Sequence, residues 1–171
     1  LLARVHLHAW QITREDRYRQ VLAETIDYVR RDLRDPAGGF LSAEDADSEG
    51  EEGKFYVWRP EEIEAVLDAE TAAAVIEWYG VTRNGNFEGS NILHRPIRGD
   101  LRRPELVERG RTALLEARGR RVRPGLDDKV LTEWNGLFLA TLAEAAAATG
   151  DAGWLAVAVA GAEFLLAHLR R

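Results

Sequence analysis

Shifted by 136 residues, this chain superposes on itself, and that internal repeat narrows the folds open to it more than any other feature. Thr13 falls on Thr149, Tyr18 on Trp154, Val21 on Val157, Asp27 on Glu163, Tyr28 on Phe164, Val29 on Leu165 and Leu33 on Leu169. Leu7 and Ala9 fall on Ala143 and Ala145 in the preceding segment. In the first copy Tyr18, Val21, Leu22, Thr25, Val29 and Leu33 recur every three or four residues, the apolar stripe of an amphipathic helix. The second copy answers with Trp154, Val157, Ala158, Gly161, Phe164, Leu165 and Leu169, after an apolar stripe over 137–148. Each copy therefore reads as helix, short turn, helix, with turns near 13–15 and 149–151. Gly150 suits a left-handed C-terminal cap at the second turn.

Two further helices are expected between the copies, over 60–79 and 104–118. Pro60 followed by Glu61 and Glu62 places proline in the first turn and acids at the positive end of the dipole. Helical hairpins cannot bury their apolar faces alone, so they stack on neighbours as a solenoid or close into a ring. The alanine-rich stretch 140–148 fits a tightly packed inner layer. The expectation is one mainly α domain over 1–171 that forms an incomplete portion of such an array. The chain has no methionine, so a start upstream of Leu1 is expected, and with it a bare hairpin face able to self-associate.

Composition removes several function classes. With no cysteine there is no disulfide framework, thiol nucleophile or thiolate metal site. No apolar run is long enough to cross a bilayer, and a cytoplasmic location is expected. A net charge of −6 argues against nucleic acid as a partner, although 98–123 carries nine arginines against four acids. Of 23 basic residues only Lys54 and Lys129 are lysines, and both lie in segments that are not helical filler.

The first of these segments is GGFLSAEDADSEGEEGKFYVW, residues 38–58. Its aromatic, β-branched end (54–58) reads as a short strand with which 40–43 could pair, making a β-hairpin excursion near 40–58 with an acidic tip. Asp45, Asp47, Glu49 and Gly50 imitate the opening of a calcium loop. The twelfth position is Tyr56, where a bidentate glutamate is required, so no metal is assigned. The second segment, DDKVLTEWNGL from Asp127, opens a helix. One of Asp127 and Asp128 could be its cap. The first turn also presents Lys129, Trp134 and Asn135, and acid, cation, amide and aromatic plate are the groups that hold a sugar. A third segment, YGVTRNGNFEGSNILH (79–94), is turn-rich with a short strand expected at 91–94. Its His94 reads as a structural histidine ahead of a base or ligand.

These three segments, in this order, resemble the YyaL-like family of thioredoxin-domain-containing proteins, related to spermatogenesis-associated proteins of animals. The resemblance covers nearly the whole chain. It implies an (α/α) six-hairpin toroid of the glycosidase and N-acylglucosamine-epimerase type, following a thioredoxin-like domain that would lie in the parent chain. Leu41 departs from the aromatic usual after Gly-Gly-Phe, and Arg59 from the small hydroxyl residue that commonly caps the helix at Pro60.

Two functions follow as expectations. In the first, the chain is a carbohydrate-processing domain, isomerase-like or hydrolase-like and without a cofactor, acting on a sugar or sugar derivative. Asp45, Asp47, Asp127 and Asp128 would supply acid/base groups, and their separation would decide the chemistry. Tyr56, Trp58 and Trp134 would stack on the ring, and Lys129 and Asn135 would orient hydroxyls. In the second, it is a non-catalytic scaffold docking the thioredoxin-like domain, with Lys54 and Lys129 in ion pairs.

Overall fold

A computed structural model describes residues 1–96 and 102–169. The start of the basic stretch expected over 98–123 lies outside the described residues, at 98–101. Seven helices and four two-residue strands occur among the described residues, so the chain is mainly α. None of these helices is long and apolar enough to cross a membrane. The chain divides into two compact units, Leu1–Glu44 with Leu126–Arg171, and Asp45–Gly125.

The first unit holds both copies of the repeat. Its helices are α1 (Leu2–Thr13), α2 (Asp16–Asp32), α6 (Thr132–Thr149) and α7 (Ala152–His168). The 136-residue shift lays α2 on α7 end for end, 17 residues each. The turns agree atom by atom. Thr13 and Thr149 each return their hydroxyl to the carbonyl four residues back, at 2.8 Å, and each accepts the amide two residues on. The next position is left-handed in both copies, Arg14 at φ 59° and Gly150 at φ 76°. Only Gly150 adopts it without crowding from a Cβ.

Leu7, Leu22, Ile26, Leu142, Ala145, Trp154 and Val157 form the core of this unit. Arg4 of α1 grips Glu144 of α6 with two guanidinium nitrogens. The Gly38-Gly39 pair lets the following segment lie against α7, since a Cβ on Gly39 would meet the Phe164 ring at 2.6 Å. Strand β1 (Ala43–Glu44) pairs antiparallel with β4 (Leu126–Asp127), Ala43 opposite Asp127.

The second unit contains β2 (Asp47–Ser48), β3 (Glu51–Glu52), α3 (Pro60–Val66), α4 (Ala69–Tyr79) and α5 (Glu105–Arg118). Trp58, Ile63, Ala72, Val75, Val81 and Leu114 make its core. Gly110 of α5 allows close packing on α4: a Cβ there would stand 2.4 Å from Val75 Cγ2.

Three expectations need correction. The helix expected over 60–79 is two helices, because Asp68 caps a fresh start by accepting the Thr71 amide at 3.0 Å. The β pairing differs as well. Phe40 bridges to Arg34, 43–44 pairs with 126–127, and 54–58 forms turns whose last residue, Trp58, bridges to Asn91. The only hairpin near 40–58 among the described residues is the acidic tip itself, β2 with β3. Its turn residues Glu49 (φ 55°) and Gly50 (φ 79°) are both left-handed, the requirement of a tight two-residue hairpin loop. Of the strand expected at 91–94, only the Asn91 bridge forms.

Candidate functional site

In the first unit the candidate residues cluster where β4 runs into α6. Neither aspartate caps the helix; Leu131 occupies that position without a side-chain hydrogen bond. Asp127 instead accepts from Lys129 Nζ at 2.6 Å, and its main-chain carbonyl accepts from the Ser42 hydroxyl at 3.1 Å. The Lys129 ammonium first, then the Ser42 hydroxyl, holds the Asp127 carboxyl below the usual aspartate range. Asp128 and Lys129 are exposed.

Trp134, in the first turn of α6, is 55% exposed. It stands at a hollow of about 170 Å³ whose wall includes Leu33, Phe40, Leu41, Ser42, Leu131 and Phe138. The wall is apolar apart from Ser42 and Asn135, so it offers contact area to an uncharged ring and few directed bonds. Ser42 ties the hollow to the Asp127–Lys129 pair.

Asn135 belongs to the core, 2% exposed. Its Oδ1 accepts the Phe40 amide at 2.8 Å, and its Nδ2 donates to the carbonyls of Phe40 (2.8 Å) and Leu131 (3.0 Å). Both amide hydrogens are spent on the main chain, so none remains for a substrate hydroxyl.

In the second unit, Asp45 and Asp47 are exposed at the acidic hairpin, with the Asp47 amide donating to Asp45 Oδ1 at 3.3 Å. Lys54 lies 2.9 Å from Glu51 and 3.6 Å from Glu49; the hydrogen bond to Glu51 is the main reason its ammonium is held more firmly than usual. Among the described residues no three Asp, Glu or His side chains converge as a metal's ligand set would. Tyr56 is half-buried, edge-on to Phe55 at 5.0 Å and facing the Arg118 guanidinium.

Trp58 is a core residue, 3% exposed, so it has no free face on which a ring could stack. The Arg121 guanidinium lies 4.0 Å from its ring centroid and donates to the carbonyls of Phe55 (3.1 Å) and Val57 (2.7 Å), while pairing with Glu62 at 3.1 Å. Glu62 in turn accepts the Arg59 amide at 2.7 Å. This is the half of a capping box that needs no hydroxyl at the cap, so the arginine there does no harm.

Buried Asn91 exchanges main-chain hydrogen bonds with Trp58 and spends its carboxamide on Trp58 and Thr82. His94 is exposed, with Nδ1 3.2 Å from both Asn86 Nδ2 and the Ile92 carbonyl. Beside the hairpin lies an open groove of about 680 Å³, lined by Glu51, Lys54, Arg59, Phe87, Glu88 and Ser90 among others.

Asp127, Lys129 and Trp134 thus remain exposed or half-exposed within the first unit, and Asp45 and Asp47 within the second. Trp58 and Asn135 are internal braces. Arg121 and Asn91 are braces that the sequence reading missed. Asn91 lies in the turn-rich segment 79–94, whereas nothing distinguishes Arg121 among 21 arginines.

No family model matches the chain. It is similar to Spermatogenesis-associated protein 20 of Mus musculus, 31% identical across 98% of this chain, and to that of Homo sapiens, 30% identical across 98%. An uncharacterized protein of Caenorhabditis elegans is 28% identical across 89%. The chain covers 26%, 26% and 25% of these three proteins, so it spans about a quarter of the length of the curated relatives it matches.

Proposed function

We propose that the two repeated hairpins are part of an (α/α) six-hairpin toroid, and that the face at the start of α6 binds a sugar or sugar derivative. The observation that carries this reading is Trp134, an exposed indole at the edge of an apolar hollow. The Asp127–Lys129 pair lies in the same short segment. A pyranose has an apolar C–H face for the indole and a rim of hydroxyls for charged partners. Asp127, held ionised, is an acceptor for those hydroxyls and unsuited to be a general acid near neutral pH, which needs a raised pKa. Within this unit an acid for isomerase or hydrolase chemistry would have to come from Asp128. The geometry therefore supports binding more directly than bond cleavage.

Saturation-transfer NMR and calorimetry against a panel of hexoses, N-acetylhexosamines and disaccharides test it. Binding is expected at millimolar or better affinity, weakened about tenfold in Trp134→Ala, whose fold is checked by circular dichroism. No sugar bound at about 10 mM, or equal binding by Trp134→Ala, sinks the reading.

One observation favours a docking role instead. Both lysines of the chain are already engaged at its surface, Lys54 with Glu49 and Glu51 and Lys129 with Asp127. The partner in that reading is a thioredoxin-like domain of the parent protein, and mixing the separately expressed domain with this chain would show a complex by calorimetry.

A further inference from the structure

The chain has four asparagines, and two of them, Asn84 and Asn135, stand directly before a glycine. This pairing is the one most prone to spontaneous deamidation. Glycine puts no side chain in the way when its amide nitrogen closes on the carboxamide carbon before it. The fold treats the two pairs in opposite ways. Asn135 is 2% exposed, its carboxamide is held by Phe40 and Leu131, and Gly136 lies inside α6. Helical dihedrals keep the amide that follows hydrogen-bonded back along the helix and away from the side chain. Ring closure at Asn135 therefore needs the start of α6 to open first.

Asn84 is exposed, and its carboxamide makes no hydrogen bond among the described residues. The nucleophile beside it is loosely held. The Gly85 amide donates to the Thr82 carbonyl at 3.2 Å, and that oxygen also accepts Asn91 Nδ2 at 2.9 Å. Losing the longer of the two bonds still leaves the carbonyl satisfied. The glycine itself is fixed by the fold: at φ 71°, a Cβ would stand 2.2 Å from the Ser90 carbonyl oxygen. Both ends of the turn are clamped, Thr82 by Asn91 and Asn86 by Ser90 and Ile92.

We propose that Asn84 is a site of spontaneous deamidation in this protein, and that the fold protects Asn135 from the same reaction. Base removes the Gly85 amide proton, and the nitrogen attacks Asn84 Cγ, forming a C–N bond. The Cγ–Nδ2 bond breaks and ammonia leaves, which closes a five-membered succinimide. Water then opens either ring carbonyl, giving aspartate, or isoaspartate with one more methylene in the backbone. No electrons are exchanged; one water is consumed and one ammonia released. Either product places a new carboxylate beside Arg83. Isoaspartate also lengthens the chain just ahead of Asn86, the residue that holds Ile92 and meets His94.

The test incubates the full 171-residue chain in mildly alkaline buffer, with and without concentrated urea, and samples it over days. Peptide mapping by mass spectrometry, with electron-transfer fragmentation to separate aspartate from isoaspartate, follows each asparagine. In the native chain Asn84 is expected to convert at least about tenfold faster than Asn135. In urea the two rates are expected to converge, because the fold no longer distinguishes them. The rate at Asn84 is expected to rise with pH, as attack by a deprotonated amide requires. Similar native rates at Asn84 and Asn135 overturn the proposal. So does an Asn84 that stays intact in the native chain while it converts in urea. The tryptic peptide 84–95 carries Asn84, Asn86 and Asn91 together, so Asn84→Ser serves as the control. It is expected to abolish the mass gain of that peptide; a gain that survives assigns the chemistry elsewhere and overturns the site.

Discussion

Replacing Asn135 by alanine isolates the role of a buried amide that sequence alone assigned to a ligand. The side chain makes three hydrogen bonds to main chain, two of them to Phe40. The Leu131 carbonyl keeps the amide of residue 135 as a helical partner at 3.0 Å, so its loss counts for little. Phe40 has no such reserve: its N–H and C=O face the carboxamide inside the core, with the residue 4% exposed. Each buried group left unsatisfied costs about 1–3 kcal/mol, so Asn135→Ala should destabilise the chain by roughly 4 kcal/mol. With a urea slope of about 2 kcal/mol/M the unfolding midpoint falls by about 2 M.

Asn135→Asp sharpens the test. It keeps the acceptor for the Phe40 amide but turns an oxygen toward two carbonyls, so it should be destabilised at neutral pH and recover partly in acid, where the protonated carboxyl donates again. The assay is urea titration by far-ultraviolet circular dichroism with hydrogen exchange at the Phe40 amide, which should accelerate in both variants. A loss under about 1 kcal/mol in Asn135→Ala would refute the brace and return Asn135 to the list of ligand-contacting groups.

Arg121→Ala should cost about 3 kcal/mol and expose the Trp58 indole to quencher, while Arg121→Lys should recover little, since an ammonium cannot fork across the Phe55 and Val57 carbonyls and stack at once; urea titration with tryptophan fluorescence measures both. Gly110→Ala gains about 1 kcal/mol of helix propensity but drives a methyl into Val75, so a net loss of about 1–2 kcal/mol in thermal or urea unfolding is expected. Asp127 has a depressed folded-state pKa, so its contribution is present above the unfolded value of about 3.9 and is lost as pH falls through the folded value below it. Carboxyl NMR titration should show that low midpoint, and Lys129→Ala should raise it toward the ordinary range.

The helices were legible because their signals are local. Apolar periodicity, Gly150 and Pro60 each report on a few neighbouring residues, and the 136-residue repeat sets both hairpins in register. The break at Asp68 was also written locally, as a cap three residues before Thr71, but the apolar period running from Ile63 to Ile76 masked it. Strand pairing was not legible: Ala43 finds Asp127 across an entire unit, and no local pattern encodes that partner. The site was half legible for a similar reason. Residue type marks Trp58 and Asn135 as groups able to hold a ligand. Whether they meet solvent depends on Arg121 and Phe40, tens of residues away.

The β1–β4 ladder has a consequence for how the chain folds. It sets Glu44 against Leu126, and at the other side of the junction the Asp45 amide donates to the Gly125 carbonyl at 2.7 Å. The roughly 80 residues between them leave and return at one point. Once that segment has folded, the two hairpins are separated by a short link rather than a long flexible loop. At about 0.6 kcal/mol per doubling of loop length, this removes roughly 2–3 kcal/mol of closure entropy from joining α1 to α6. The contact order of the repeat is thereby lowered, and replacing 45–125 by a two-residue turn should leave a chain that folds faster, not one that fails to fold.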